Sequence, residues 1–198
     1  MKSIILDKNN KFFLEDYHLT HRKGIRHLSL GIVLFNKKNE LLIHRKKELP
    51  MFPYSLWNIS FHTDHFLNKT QPLKTPLKFS RSMLKDFYGF NKFKLKKIGI
   101  IEYREKFSDY FYENERMNLY FGFTHEIPSS VKSGYYEKCK FLSIEVIQED
   151  IKLFPQFYTP WFKFIMIKHG SLFERDHLEK LKKELLDNIK PSQRQKFV

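Results

Sequence analysis

The chain has 198 residues, 41% of them hydrophobic and 17% aromatic, which is enough apolar mass for one packed core and excludes a disordered chain. Thirty-six Lys and Arg against twenty-two Asp and Glu leave a formal net charge of +14, so the surface favours anionic partners: nucleic acid, acidic lipid or phosphorylated small molecules. No apolar run approaches the ~20 residues of a membrane span, no signal-like segment precedes Asp7, and the lone Cys139 cannot form an internal disulfide; the expected location is cytoplasmic.

In chain order, Ile4–Leu6 and Phe12–Leu14 read as two short strands around an Asn-rich turn, and Gly24 breaks the chain before His27. His27–Phe35 reads as a buried strand that turns at Asn36–Asn39 into a second strand, Glu40–Arg45. Pro50 and Pro53 punctuate a loop before a third strand, Leu56–Phe61, and Thr63–Thr75 reads as polar loop. Pro76–Tyr88 has helical period, with Leu77, Phe79, Met83, Leu84 and Phe87 on one broad face, Pro76 in the first turn and Gly89 as the stop. Lys96–Phe107 and Met117–His125 are strand-like, joined by a polar, aromatic connection over Phe107–Glu115. A strand near Lys140–Leu142 leads into helices at Ile144–Phe154, Trp161–His169 and His177–Ile189. Strands around a central helix with helices at the end predict an α+β or α/β/α sandwich, with a mixed central sheet and flanking helices. The expected division is a domain over 1–170 and a C-terminal helical extension over 171–198, whose Leu178, Leu181, Leu185 and Ile189 recur at helical spacing.

Basic clusters at Lys37-Lys38, Arg45-Lys46-Lys47, Lys92–Lys97 and Lys180–Lys183 read first as solvated surface. Nucleic acid is a partner class on charge alone, with Phe90, Phe93 and Tyr103 as stacking candidates that fit buried strand positions equally well. A more specific signal comes from His21 and His27 at the entry to the first long strand, His62, Asp64 and His65 after the third, and Glu113-x-Glu115. Alternate residues of a strand face one way, so both glutamates can aim at one centre. Imidazole with carboxylate suits Zn or Mn, and a mostly oxygen set suits Mg.

The run His21-Arg22-Lys23-Gly24-Ile25-Arg26-His27-Leu28-Ser29, the hairpin Leu34-Phe35-Asn36 to Leu41-Leu42, Leu56-Trp57-Asn58-Ile59-Ser60, Tyr103 followed by Glu113-Asn114-Glu115, and Tyr158-Thr159-Pro160-Trp161 resemble, in that order, type I isopentenyl-diphosphate isomerase, a family of the Nudix fold superfamily. The resemblance runs from about residue 3 to residue 168. It implies a metal-dependent isomerase of isoprenoid biosynthesis that moves a double bond within a five-carbon diphosphate. Protonation of one face of an alkene and loss of a proton from the other need an acid, a base across the substrate and an aromatic wall for the cation. The resemblance implies His21, His27, Glu113 and Glu115 as metal ligands, Glu115 with Tyr103 as the protonating pair, and Trp161 as the wall. It matches Arg45 and Lys46 to diphosphate contacts. A second ion bridging the diphosphate to the central helix implies Asp86 when Arg81 is held in register; aligning on Gly89 puts Phe87 there instead.

Departures from the family are concentrated after the third strand, where Cys-x-His is replaced by His62-Thr63-Asp64. Two readings follow. In one, His62 is the opposite-face base and Asp64 a metal ligand. In the other, His62 or His65 supplies the missing ligand and isomerase chemistry is lost. Tyr17 and Pro50 stand where the family has lysines, which thins the diphosphate contacts. The alternatives are a Nudix-type enzyme acting on another diphosphate and a catalytically silent Nudix-like module binding a phosphorylated ligand or RNA. The stretch Arg81-Ser82-Met83-Leu84-Lys85-Asp86 has one acid where hydrolysis needs a glutamate cluster.

Overall fold

A computed structural model describes residues 2–48, 55–64, 76–128 and 136–187. Pro50, Pro53, His65, the loop through Thr75 and Ile189 lie outside the described residues, as do the side chains of Leu77 and Phe79. The chain opens with an antiparallel hairpin of β1 (Lys2–Leu6) and β2 (Phe12–Asp16). Asp7 Oδ1 accepts from the N–H groups of Asn9 and Lys11, the local bonding that makes Asp a turn former. A two-turn helix, α1 (Tyr17–Lys23), follows at once, where the apolar pattern announces none. Polar ends create it. Asp16 accepts from the N–H groups of His18 and Leu19, and Gly24, at φ 59°, closes the last turn through His21 and Thr20 carbonyls.

The predicted hairpin is present as β3 (His27–Phe35) and β4 (Leu41–Lys46), with every β3 residue buried. The expected third strand is instead two: β5 (Trp57–Asn58) beside β4 and β6 (Phe61–Asp64) beside β3. β3 and β4 pair only at Phe35 and Leu41 before they separate. Ser60 bridges that gap, donating Oγ–H to Leu42 O and accepting from Leu34 N–H. Thr63 and Asp64 are therefore strand, not loop.

α2 (Pro76–Tyr88) ends at Gly89, φ 76°, as expected from its first-turn proline and following glycine. The connection expected over Phe107–Glu115 is a tight turn at Asp109-Tyr110 in a long hairpin of β7 (Phe93–Ser108) and β8 (Phe111–Thr124). β9 (Tyr136–Leu142) pairs with β4 and leads to α3 (Ile144–Leu153), α4 (Pro160–Lys168) and α5 (Arg175–Asp187).

The nine strands among the described residues form one mixed sheet, with β8 parallel to β3 and β1, β4 and β6 antiparallel to it. Strand alternation divides its two faces. On one, Val33 and Phe35 pack with Ile147, Trp161, Ile165, Leu178 and Leu181 of the C-terminal helices. On the other, Leu30, Ile32 and Leu34 pack with Leu84, Phe87 and Tyr88 of α2. This is a sheet between helical layers, and α5 contributes Leu178, Leu181 and Leu185 to the larger core. No helix among the described residues is long and apolar enough to cross a membrane.

Candidate metal centre

β3 lies between β6 and β8, and register brings their inward side chains onto one face. Ser29 is opposite Asp64, His27 opposite Glu115, and Tyr103 of β7 opposite Glu115 from the far side. Period two adds His62 and Glu113 to the same face. α1 swings His21 over this end of the sheet, where its ring stacks on Phe111 at 4.5 Å.

The result is a buried group of five ligand-type side chains. His21 Nε2 is 3.1 Å from Asp64 Oδ2 and 3.8 Å from Glu113 Oε2. His27 Nε2 is 3.8 Å from Asp64 Oδ1, 3.6 Å from Glu113 Oε2 and 3.7 Å from Glu115 Oε1. One ligand atom from each of His21, His27, Asp64 and Glu113 lies within 4.8 Å of the others. Both imidazoles donate Nδ1–H to backbone carbonyls, His21 to Tyr17 O (2.8 Å) and His27 to Ile25 O (2.9 Å), which orients Nε2 toward the carboxylates. His21 Nε2, His27 Nε2, Asp64 Oδ2, Glu113 Oε2 and Glu115 Oε1 are all buried without a hydrogen bond. An orphaned buried polar atom costs roughly 1–3 kcal/mol. A divalent cation among His21, His27, Asp64 and Glu113, with Glu115 Oε1 beside His27, would satisfy them together.

The electrostatics agree. Burial and the charge of Glu115 push Glu113 up to about 7. Burial also opposes ionisation of Glu115, but His62 and His27 outweigh it and hold that carboxyl well below the usual range. For His27, burial disfavours the cation, yet Asp64, Glu113 and Glu115 raise it to about 12.

Glu115 is gripped from three sides: its Oε2 accepts from Ser29 Oγ (2.5 Å), Tyr103 Oη (2.6 Å) and His62 Nε2 (3.0 Å). The His62 ring stacks on Trp161 at 4.7 Å. Asn58 Oδ1 fixes the indole, accepting from Trp161 Nε1–H at 2.7 Å as well as from Ile59 N–H. Lys46 Nζ lies 5.2 Å from the centre of the Trp161 ring. Burial lowers the pKa of this ammonium, while Glu113, Asp64 and Glu115 act the other way.

The structure thus brings together His21, His27, His62, Asp64, Tyr103, Glu113, Glu115, Trp161 and Lys46. Two expected residues fall elsewhere. Arg45 bonds Ser55 O through Nε and lies 3.9 Å from Glu137, and the register of β4 against β9 shifts between Arg45 and Lys46, which breaks the simple alternation there. Asp86 is exposed, accepting from Ser82 Oγ, on a helix packed against the face of β3 opposite His27. Phe87, its alternative in register, is buried against Phe61. His62, the base on the opposite face in one of the two readings, has Nε2 3.0 Å from Glu115 Oε2. Tyr17, Ser29 and Asn58 position the group and carry no sequence signal beyond their place beside the histidines, the strand and Trp57.

No family model matches the chain. It is 22% identical over 156 residues to isopentenyl-diphosphate Delta-isomerase of Rhodobacter capsulatus, covering 77% of this chain and 84% of that protein. The corresponding enzyme of Pectobacterium atrosepticum is 22% identical over 161 residues, covering 81% and 86%. A solved structure from Deinococcus radiodurans superimposes with TM-score 0.56 at 12% identity, over 78% of this chain and 90% of that one. A Nudix hydrolase from Nitrosomonas europaea superimposes with TM-score 0.50 at 12% identity, over 73% and 88%. Mixed sheet and flanking helices give the chain the Nudix fold, and its sequence is similar to the isopentenyl-diphosphate Delta-isomerases.

Proposed function

We propose that the protein is a metal-dependent enzyme of proton transfer on a short prenyl diphosphate, an isomerase of the isopentenyl-diphosphate type. The observation that carries this reading is the convergence of four buried ligand residues, His21, His27, Asp64 and Glu113, beside a carboxylate, Glu115, that is bonded to a buried phenol. His21, His27, Asp64, Glu113 and Glu115 would hold the cation. Two nitrogens and several carboxylate oxygens suit Mn or Zn, and Mg through the oxygens. When bound, the ion would fix the carboxylates and neutralise their mutual repulsion.

The chain's own groups then divide the work. Tyr103 keeps its proton, because burial and the charge of Glu115 raise its pKa well above the ordinary value. The Tyr103–Glu115 pair is the proton donor. His62 holds Glu115 in place rather than facing it. Trp161 lends its indole to the developing cation, and Lys46 offers the diphosphate a charge beside it.

A specific observation favours a second reading, a module that binds metal and diphosphate without turnover: His62 covers a face of Trp161 and touches the acid. Incubation with isopentenyl diphosphate and Mg or Mn, followed by detection of the dimethylallyl isomer, separates the two. The isomerase reading requires product. Binding without product at large enzyme excess supports the module.

A further inference from the structure

β2 is the terminal strand of the sheet, and among the described residues it pairs with β1 alone. It nevertheless presents Phe12, Phe13 and Leu14 in succession, 57%, 50% and 45% exposed. An open strand edge offers a row of backbone donors and acceptors to another strand, and proteins that avoid such pairing place charge, proline or a bulge there. β2 has none of these over its first three residues, Phe12–Leu14, before the two acids Glu15 and Asp16.

The hydrogen-bond parity of this edge is set by the hairpin. Asp7 N–H donates to Lys11 O at 3.1 Å, and Leu6 N–H turns away from β2 to Arg26 O at 2.9 Å. Antiparallel alternation then directs the backbone groups of Phe13 and Glu15 toward β1 and those of Phe12 and Leu14 outward.

We propose that β2 pairs antiparallel with β2 of a second copy of this chain, about a twofold axis at Phe13. In this register Phe12 exchanges backbone bonds with the partner's Leu14, and Leu14 with the partner's Phe12. The two Phe13 side chains meet at the axis. Lys11 stands opposite the partner's Glu15, and the symmetry repeats each contact. The parity and the charges select this register. A slide of one residue opposes an outward residue to an inward one, and a slide of two sets Lys11 or Glu15 against Phe13.

The apolar layer beneath gains as well. Ile4, Leu6 and Leu28 form a buried cluster of their own at this end of the sheet. Phe12 is opposite Leu6 and Leu14 opposite Ile4, so both lie on the cluster's face. The partner's Leu14 and Phe12 extend that face across the axis. A strand-length contact is small, so the dimer is weak and concentration-dependent.

Sedimentation velocity over a concentration series tests the pairing. The expected result is a shift from the 24.2 kDa monomer toward twice that mass as concentration rises. Lys11→Glu or Glu15→Lys sets like charges opposite each other and weakens association by about tenfold. The double variant Lys11→Glu/Glu15→Lys restores it. Lys11 sits in an exposed turn, and circular dichroism checks that each variant is folded. A wild type that stays monomeric throughout, a dimer indifferent to Lys11→Glu, or a double variant that remains dissociated overturns the proposal.

Discussion

Two imidazoles, one on each face of the sheet, are equally hidden and oppositely tuned. His27 and His44 are both fully buried, each has Nδ1 hydrogen-bonded, and each has an Nε2 without a partner. Around His27 stand Asp64, Glu113 and Glu115, and its pKa rises to about 12. Around His44 stand Tyr88 and the Tyr136 ring, 4.0 Å away, and burial pushes its pKa well below 6.5. Burial, with the charge of Lys46, disfavours the His44 cation, whereas the carboxylates around His27 favour its charged form. Cys139 packs half-buried on the aromatic side, where burial raises its thiol pKa.

The contrast is broken most completely by removing the carboxylate side's chemistry. Glu113→Gln or His27→Ala should lower affinity for Mn or Zn by at least ~100-fold in calorimetric titration, while His44→Leu leaves it unchanged. An equal loss in His44→Leu would show that the two faces act as one. Tyr103→Phe should next reduce turnover of isopentenyl diphosphate by about 10²–10⁴-fold with metal content unaltered, since the phenol supplies the proton and Glu115 keeps Ser29 and His62. Wild-type metal loading should stabilise the fold by ~2.7 kcal/mol at a hundredfold excess over Kd, read as a Tm increase that Glu113→Gln lacks.

The finest test is the sign of a pH slope. His27 has a raised folded-state pKa, so in metal-free protein its contribution is complete below 6.5 and is lost as pH climbs toward about 12. His44 has a depressed one. The unfolded chain takes up its proton first, and stability falls as pH drops below 6.5. Thermal melts across pH should show the acid-side loss flattened in His44→Leu and the alkaline-side loss flattened by metal.

Much of this architecture is written in apolar pattern: the β3–β4 hairpin, α2 between Pro76 and Gly89, and the helices after Leu142. The candidate ligands His21, His27, Asp64, Glu113 and Glu115 are legible as types and spacings, through resemblance more than through periodicity. β8 shows why the rest is hidden. Its residues alternate buried and half-buried from Phe111 to Tyr120, but Glu113 and Glu115 occupy two of the buried places. A charged residue at an inward position disguises a strand as a polar connection. α1 is hidden differently, because its existence rests on Asp16 and Gly24 rather than on an apolar stripe. The separation of Arg45 from Lys46 falls at a register shift of β4 against β9, which composition does not encode.

That two-turn helix has a consequence of its own. A segment of seven residues is far too short to hold helical shape unaided, and it delivers His21 only because its two ends are clamped. A cation gripped by His21 together with Asp64 and Glu113 would act as a rivet between the chain's opening stretch and its middle. Amide exchange over Tyr17–Gly24 should then slow on loading and report occupancy.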